Sequence, residues 1–207
     1  MRAPRVLILL PTLALVSGCP RHQGGSSTRS GNDIVLSAEG IPSFPGGAQR
    51  CPSPNGEGKI ELSYENGEKR LRGQCQGGVM VGDWKAWYEN GAVVWKAHFE
   101  HGLLDGDFES WHPNDEDMAR ASYDKGAASG GFKAWWANGK KRAVGEYVAG
   151  KKAGCWETWH ENGQKASKGA YDEDRKVLAW LYWSESGDKR KEKLGGEASH
   201  GRCLITF

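Results

Sequence analysis

From residue 58 onward the chain alternates between apolar and polar positions. The pattern runs through "GDWKAWYENG" from Gly82, "GGFKAWWANG" from Gly130 and "GCWETWHENG" from Gly154. A period of two sends successive side chains to opposite faces of a β-strand. Asn-Gly interrupts the alternation, which then resumes up to an aromatic residue and a glycine. "GDFESWHPND" from Gly106 is a further copy, and "GKIELSYENG" from Gly58 and "LAWLYWSESG" from Leu178 are degenerate ones. The starts at 58, 82, 106, 130, 154 and 178 are 24 residues apart without insertion. Six in-register copies predict an array in which each unit leans on its neighbours.

Asn-Gly between alternating segments signals a two-residue type I′ turn, which needs positive φ at both positions. Asn66-Gly67, Asn90-Gly91, Asn138-Gly139 and Asn162-Gly163 fit, and Asn114-Asp115 and Ser186-Gly187 are weaker versions. Each repeat is therefore predicted to be one β-hairpin. Counting outward from Asn162-Gly163 pairs Glu161 with Gln164 and puts Trp156 opposite Gly169. The same count puts Trp84 opposite Ala97, Phe108 opposite Ala121 and Phe132 opposite Gly145. A large ring then faces a small residue in every copy, restoring packing that a strand glycine lacks. Each such pair contributes about 0.2–1 kcal/mol.

The register also sorts the faces. Trp156, Thr158, His160 and Tyr171 point one way, and Cys155, Glu157, Trp159 and Glu161 the other. Cys155 and His160 therefore cannot act as nucleophile and base. Trp87, Trp111, Trp135, Trp159 and Trp183 form a ladder on one face, with rings roughly 9–10 Å apart. Two readings stand side by side. The rings pack on cross-strand neighbours, here Val94, Met118, Arg142, Ala166 and Arg190, with Arg142 stacking on Trp135. Alternatively they form a platform for a long ligand such as a glycan strand.

Glycine, aromatic, two spacers, an aromatic pair, Asn-Gly, then aromatic and glycine resembles the MORN repeat (membrane occupation and recognition nexus) in its 24-residue bacterial variant. The resemblance covers about residues 58–187. It implies an all-β fold, a single-layer antiparallel β-meander of about six stacked hairpin repeats. Bacterial members often carry an antitoxin label, which implies little about mechanism. The departures lie at the ends, where Ser63 replaces the first copy's central Trp and Leu178 the last copy's leading Gly. Degenerate end copies are expected of caps.

Composition agrees with a thin fold. Ten tryptophans and 30 glycines sit in a chain of only 38% hydrophobic residues, with a mean hydropathy of −0.67. Aromatic rings packed on glycine then replace a thick interior. A formal net charge of +2 gives no reason to expect a nucleic-acid partner. His112 and His160 are equivalent positions two repeats apart, and His98 and His101 face opposite ways on a continuous strand. No metal or other cofactor is expected, and no motif points to an enzyme.

The N-terminus is a different region. Arg2 and Arg5 precede the apolar run "VLILLPTLALV", too short for a spanning helix of roughly 20 residues. "VSGC" at 16–19 resembles the bacterial lipobox, which implies that residues 1–19 are a signal peptide and that Cys19 is lipidated. Pro20 and Arg21 follow in place of Asp, which favours the outer membrane. Residues 20–52 read as a flexible Gly/Ser/Pro tether, with a short strand at "IVLS" as the alternative. The repeat domain is expected over 53–200 and a tail over 201–207.

The remaining cysteines number four, an even count in a chain with an export signal. Cys51–Cys75 and Cys155–Cys203 are the favoured disulfides, clamping the two ends of an open sheet. In an ideal array Cys51 and Cys75 would stand roughly 10 Å apart, so the N-terminal cap must bend back. The functional expectation is a lipid-anchored envelope scaffold that binds a protein partner. A cell-wall or polysaccharide binder using the Trp ladder is one alternative, and an antitoxin-like inhibitor is another.

Overall fold

A computed structural model describes residues 35–36, 42–43, 48–53, 55–196 and 203. The signal segment with Cys19, most of the stretch read as a tether, and the tail apart from Cys203 lie outside the described residues. Two short strands, β1 (Val35–Leu36) and β2 (Pro42–Ser43), pair antiparallel within the tether stretch.

The repeats form one open antiparallel meander of 13 strands. Its hairpins are β3 (Gly58–Ser63) with β4 (Lys69–Gln76), β5 (Val79–Trp87) with β6 (Val93–Glu100), and β7 (Leu103–Trp111) with β8 (Asp117–Asp124). They continue as β9 (Ala127–Ala128) and β10 (Gly130–Trp135) with β11 (Lys141–Val148), β12 (Lys151–Trp159) with β13 (Lys165–Asp172), and β14 (Arg175–Trp183) with β15 (Lys189–Lys193). β9 and β10 are one strand broken at Ser129. The order follows the chain throughout, as a string of hairpins with short connections must.

The turns are placed differently from the expectation. At Asn162-Gly163 only the glycine has positive φ (90°), and the Gly163 N–H donates to the His160 carbonyl at 2.9 Å. This is a four-residue turn followed by a left-handed glycine, not a type I′ pair. Gln164 accordingly faces His160, whose N–H donates to the Gln164 carbonyl at 2.8 Å, in place of Glu161. A bulge follows: Trp159 lies opposite Lys165 and Thr158 opposite Ser167, leaving Ala166 over. The extra residue restores the count, so Trp156 does lie opposite Gly169, and Trp84 opposite Ala97.

The tight turns join one repeat to the next. His101-Gly102, Lys125-Gly126 and Ala149-Gly150 have positive φ at both positions, from 48° to 86°. Like Gly77-Gly78 and Glu173-Asp174, which are positive at both positions too, these three are type I′ turns. Each donates its glycine N–H to the preceding repeat: Gly102 to Met80 at 2.9 Å, Gly126 to Leu104 at 2.7 Å, Gly150 to Ala128 at 2.8 Å. Successive turns are thus hydrogen-bonded along one side of the sheet.

Residues 48–51, the end of the stretch read as a tether, belong to this side. The Gln49 N–H donates to Gly102 at 2.6 Å and its carbonyl accepts from Met80 at 3.0 Å, while Cys51 N–H donates to Gly78 at 2.8 Å. Gly102 is needed for this approach, because a Cβ there would stand 2.8 Å from the Ala48 Cβ. The strap brings Cys51 to Cys75, with a Cα–Cα distance of 5.7 Å, in a disulfide.

Candidate functional site

The sheet has one layer and two unlike faces. Trp84, Phe108, Phe132, Trp156 and Trp180 fill the inner face, each 1–3% exposed. These rings do not rest on their hairpin partners, as the sequence suggested. They lean across the repeat boundary. A Cβ on Gly73, Gly145 or Gly169 would lie inside the ring of Trp84, Trp156 or Trp180 respectively, each on the next strand. Where the boundary residue is alanine, the next ring is smaller: Ala97 faces Phe108, and Ala121 stands in register with Phe132. Gly precedes Trp and Ala precedes Phe at every boundary. The contact matches size between repeats, because a close-packed face tolerates neither a void nor an extra methyl.

The buried indoles keep their N–H groups bonded. Trp84 Nε1 donates to Val81 O at 3.1 Å, Trp156 Nε1 to Ala153 O at 3.1 Å and Trp180 Nε1 to Ala170 O at 3.1 Å. These carbonyls are freed where Gly82, Gly154 and Leu178 bulge with positive φ. Edge-to-face tyrosines complete the layer, with Phe132–Tyr147 at 5.6 Å and Trp156–Tyr171 at 5.9 Å between ring centroids.

A second set of contacts locks the Asn-Gly ends, and it was missed in the sequence. The Nδ2 groups of Asn66, Asn90, Asn114, Asn138 and Asn162 donate to carbonyls 23 residues further on, those of Glu89, Pro113, Ala137, Glu161 and Glu185. Beside them Tyr64, Tyr88 and Trp136 donate to the carbonyls of Trp87, Trp111 and Trp159. His112 and His160 reach Trp135 and Trp183 through Nε2 at 3.1 and 2.7 Å, which requires the tautomer with the proton on Nε2. The signal was present: this position carries a ring with an N–H or O–H in five successive copies. Among the described residues no group of three or more His, Cys, Asp or Glu is placed to hold a metal ion.

The outer face carries the ladder Trp87, Trp111, Trp135, Trp159 and Trp183, all half-buried. Their cross-strand partners are Val93, Asp117, Lys141, Lys165 and Lys189, each one residue earlier than expected, in the first four copies because of the bulge and in the last because the whole hairpin is shifted by one. Cations cover them: Lys85 over Trp87 at 5.0 Å, Lys96 over Trp111 at 5.0 Å, Arg120 over Trp135 at 5.8 Å and Lys165 over Trp159 at 5.7 Å. Arg142 lies over Trp136 at 4.5 Å, not over Trp135. A neighbouring row of charged residues runs beside the ladder. Within it Glu157 takes Lys165 at 2.7 Å and Lys168 at 3.0 Å. Burial pushes its carboxyl up, but the two lysine hydrogen bonds outweigh that and hold it below its ordinary value. Cys155, also on this face, is bonded to Cys203, with a Cα–Cα distance of 4.8 Å.

Repeats of 24 residues, paired as stacked hairpins with left-handed glycines at fixed positions, carry the resemblance. A family model described as the MORN repeat variant matches residues 152–173. That stretch is a MORN repeat. The matched stretch begins two residues before the fifth copy and covers most of it, from Lys152 in β12 through Asn162-Gly163 to the tight turn at Glu173. No curated protein matches the chain. Among solved structures it is similar to a chain from "Crystal structure of GtfA/B complex bound to UDP and GlcNAc", at 12% identity and a TM-score of 0.23. That match covers 54% of this chain and 22% of the other, and at such a score it bears on neither fold nor function.

Proposed function

We propose that this chain is a non-catalytic binding scaffold of the cell envelope, held to the membrane by a lipid on Cys19 and presenting its outer face to a protein partner. The observation that carries the reading is the division of labour between the faces. The inner rings and the two edge ladders hold the array together, and the half-buried Trp row is left on a surface with no further layer over it among the described residues. Export is supported by the "VSGC" segment and by two disulfides, which persist in oxidising compartments. The partner lies in the same compartment, and a toxin held inactive there would be one such partner.

Two measurements test this. Metabolic labelling with palmitate should mark the full-length chain and fail on Cys19→Ser; equal labelling of both removes the anchor. Photo-crosslinking should give protein adducts from a reactive side chain at Trp135 on the outer face and none from one at Ala134 on the inner face. Adducts from Ala134, or from neither position, contradict the scaffold reading. A second reading, a polysaccharide binder, is favoured by the regular spacing of the half-buried rings, because a row of aromatic surfaces suits a repeating chain of sugars.

A further inference from the structure

We propose that Arg72, Lys85 and Lys96 form a site for the acidic group of a carbohydrate chain whose sugar faces lie against Trp87 and Trp111. The proposal deepens the polysaccharide reading and rests on it. The three cations occupy adjacent strands β4, β5 and β6 and are direct register partners, Arg72 with Lys85 and Lys85 with Lys96. Neighbouring strands lie about 4.8 Å apart, which sets three positive charges side by side. They line a cleft of about 400 Å³ on the outer face together with Asp83, His98 and Glu109.

The cleft contains carboxylates, yet these have turned to other partners. Asp83 takes His98 at 2.7 Å, Asp107 accepts from the Ser122 hydroxyl at 2.9 Å, and Glu109 approaches Arg120 at 3.9 Å. Among the described residues none of the three cations forms an ion pair with a carboxylate. Two other cations of the row are paired: Arg120 holds Asp117 at 3.0 Å and Lys168 holds Glu157 at 3.0 Å. Burial, then the charges of Lys96, Arg72 and Lys69, hold the Lys85 ammonium below its ordinary range. An anion in the cleft relieves that repulsion and forms charge-assisted hydrogen bonds.

The choice of ligand follows from what borders the triad. Lys85 and Lys96 stand over Trp87 and Trp111, each at 5.0 Å. The two rings are two strands, about 10 Å, apart, and stand at one end of the cleft, two residues beyond Lys85 and Glu109 on their strands. An acidic polysaccharide presents both chemistries at once: anionic groups for the cations and C–H faces for the rings. A nucleic-acid strand also offers rings and anions, but it needs many phosphate contacts, and the chain's net charge is only +2 with Asp83 and Asp107 beside the site. An acidic peptide supplies the charge without the stacking faces.

The test titrates the intrinsic fluorescence of the full-length chain in detergent with polygalacturonate, dextran, polyglutamate and a single-stranded oligonucleotide. The variants are Arg72→Gln/Lys85→Gln/Lys96→Gln, Lys133→Gln as a control in the same row, and Trp111→Ala/Trp135→Ala. Polygalacturonate should bind saturably and more weakly in salt. Binding should be at least about ten-fold weaker in the triple variant, the loss expected from removing charge-assisted hydrogen bonds, and unchanged in Lys133→Gln. The triple variant should unfold at no lower temperature than the natural chain, since it loses a like-charge cluster. Equal binding by the triple variant, or polyglutamate or the oligonucleotide binding as tightly, overturns the proposal. Dextran binding that survives in the triple variant and disappears in Trp111→Ala/Trp135→Ala overturns the acidic site while keeping the glycan reading. No polysaccharide binding at all overturns both.

Discussion

Trp156 and Trp159 sit three residues apart on one strand and have opposite fates. Trp156 is 3% exposed, lies on Gly145 of the preceding repeat and bonds its N–H to the backbone. Trp159 is half-buried, with Lys141 and Lys165 over its ring. The same side chain is cohesion on one face and surface on the other. Residue type alone therefore does not assign function in a one-layer sheet. The neighbour across the repeat boundary does: a glycine or alanine under the ring marks the packed row, whereas a cation over the ring marks neither, since Lys152 lies over Trp156 at 4.7 Å just as Lys165 lies over Trp159 at 5.7 Å.

That contrast can be broken from the packed side first. Gly145→Ala puts a methyl inside the Trp156 ring and should cost about 3 kcal/mol, the upper range for overpacking, read by denaturant unfolding. Adding Trp156→Phe recreates the Ala–Phe pair that this chain already uses at 97/108, so the double variant should recover most of the loss. Additive losses would mean that the size match is incidental. Asn138→Ala removes the bond to Glu161 O at 2.9 Å and the bond from the Lys140 N–H at 3.1 Å. It should cost about 1–2 kcal/mol and speed hydrogen exchange in both adjoining repeats.

Smaller effects sharpen the open side and the cap. Glu157→Gln should cost about 1 kcal/mol at neutral pH. Its folded pKa is depressed, so the contribution is present above the ordinary carboxylate range and lost as pH falls through the folded value. The variant and the natural chain should converge in acid; a gap that persists there assigns the effect to packing. Leu178 holds φ at 62° where the earlier copies have glycine, and it is 37% exposed. Leu178→Gly should stabilise by about 0.5–1 kcal/mol, the relief of a left-handed leucine less the entropy of the added glycine.

Much of this architecture was legible. The 24-residue spacing and period-two alternation suffice for hairpins, strand order and the pairing of Trp84 with Ala97. The Gly–Trp and Ala–Phe matching was also written there, 11 residues apart, but both flanking strands offer a small residue and spacing alone does not say which way a ring leans. The turn types were not legible. Asn162 bonds a carbonyl in the next repeat, a contact invisible in a single hairpin, and that holds it out of the left-handed region. The type I′ turns begin instead with Gly77, His101, Lys125, Ala149 and Glu173, and the last four are residues that seldom signal positive φ. The bulge at Ala166 then shifted the partners of the outer ladder by one residue.

The most direct test of the two-face account compares Trp156→Ala with Trp159→Ala by equilibrium unfolding of the full-length chain. The account predicts a loss of about 3–5 kcal/mol for Trp156→Ala, the range for a large buried ring, and of about 1 kcal/mol for Trp159→Ala, the range for an exposed cation–π contact. Equal losses, or a larger loss at Trp159, would make the outer row part of the core and contradict its assignment as the surface left for a partner.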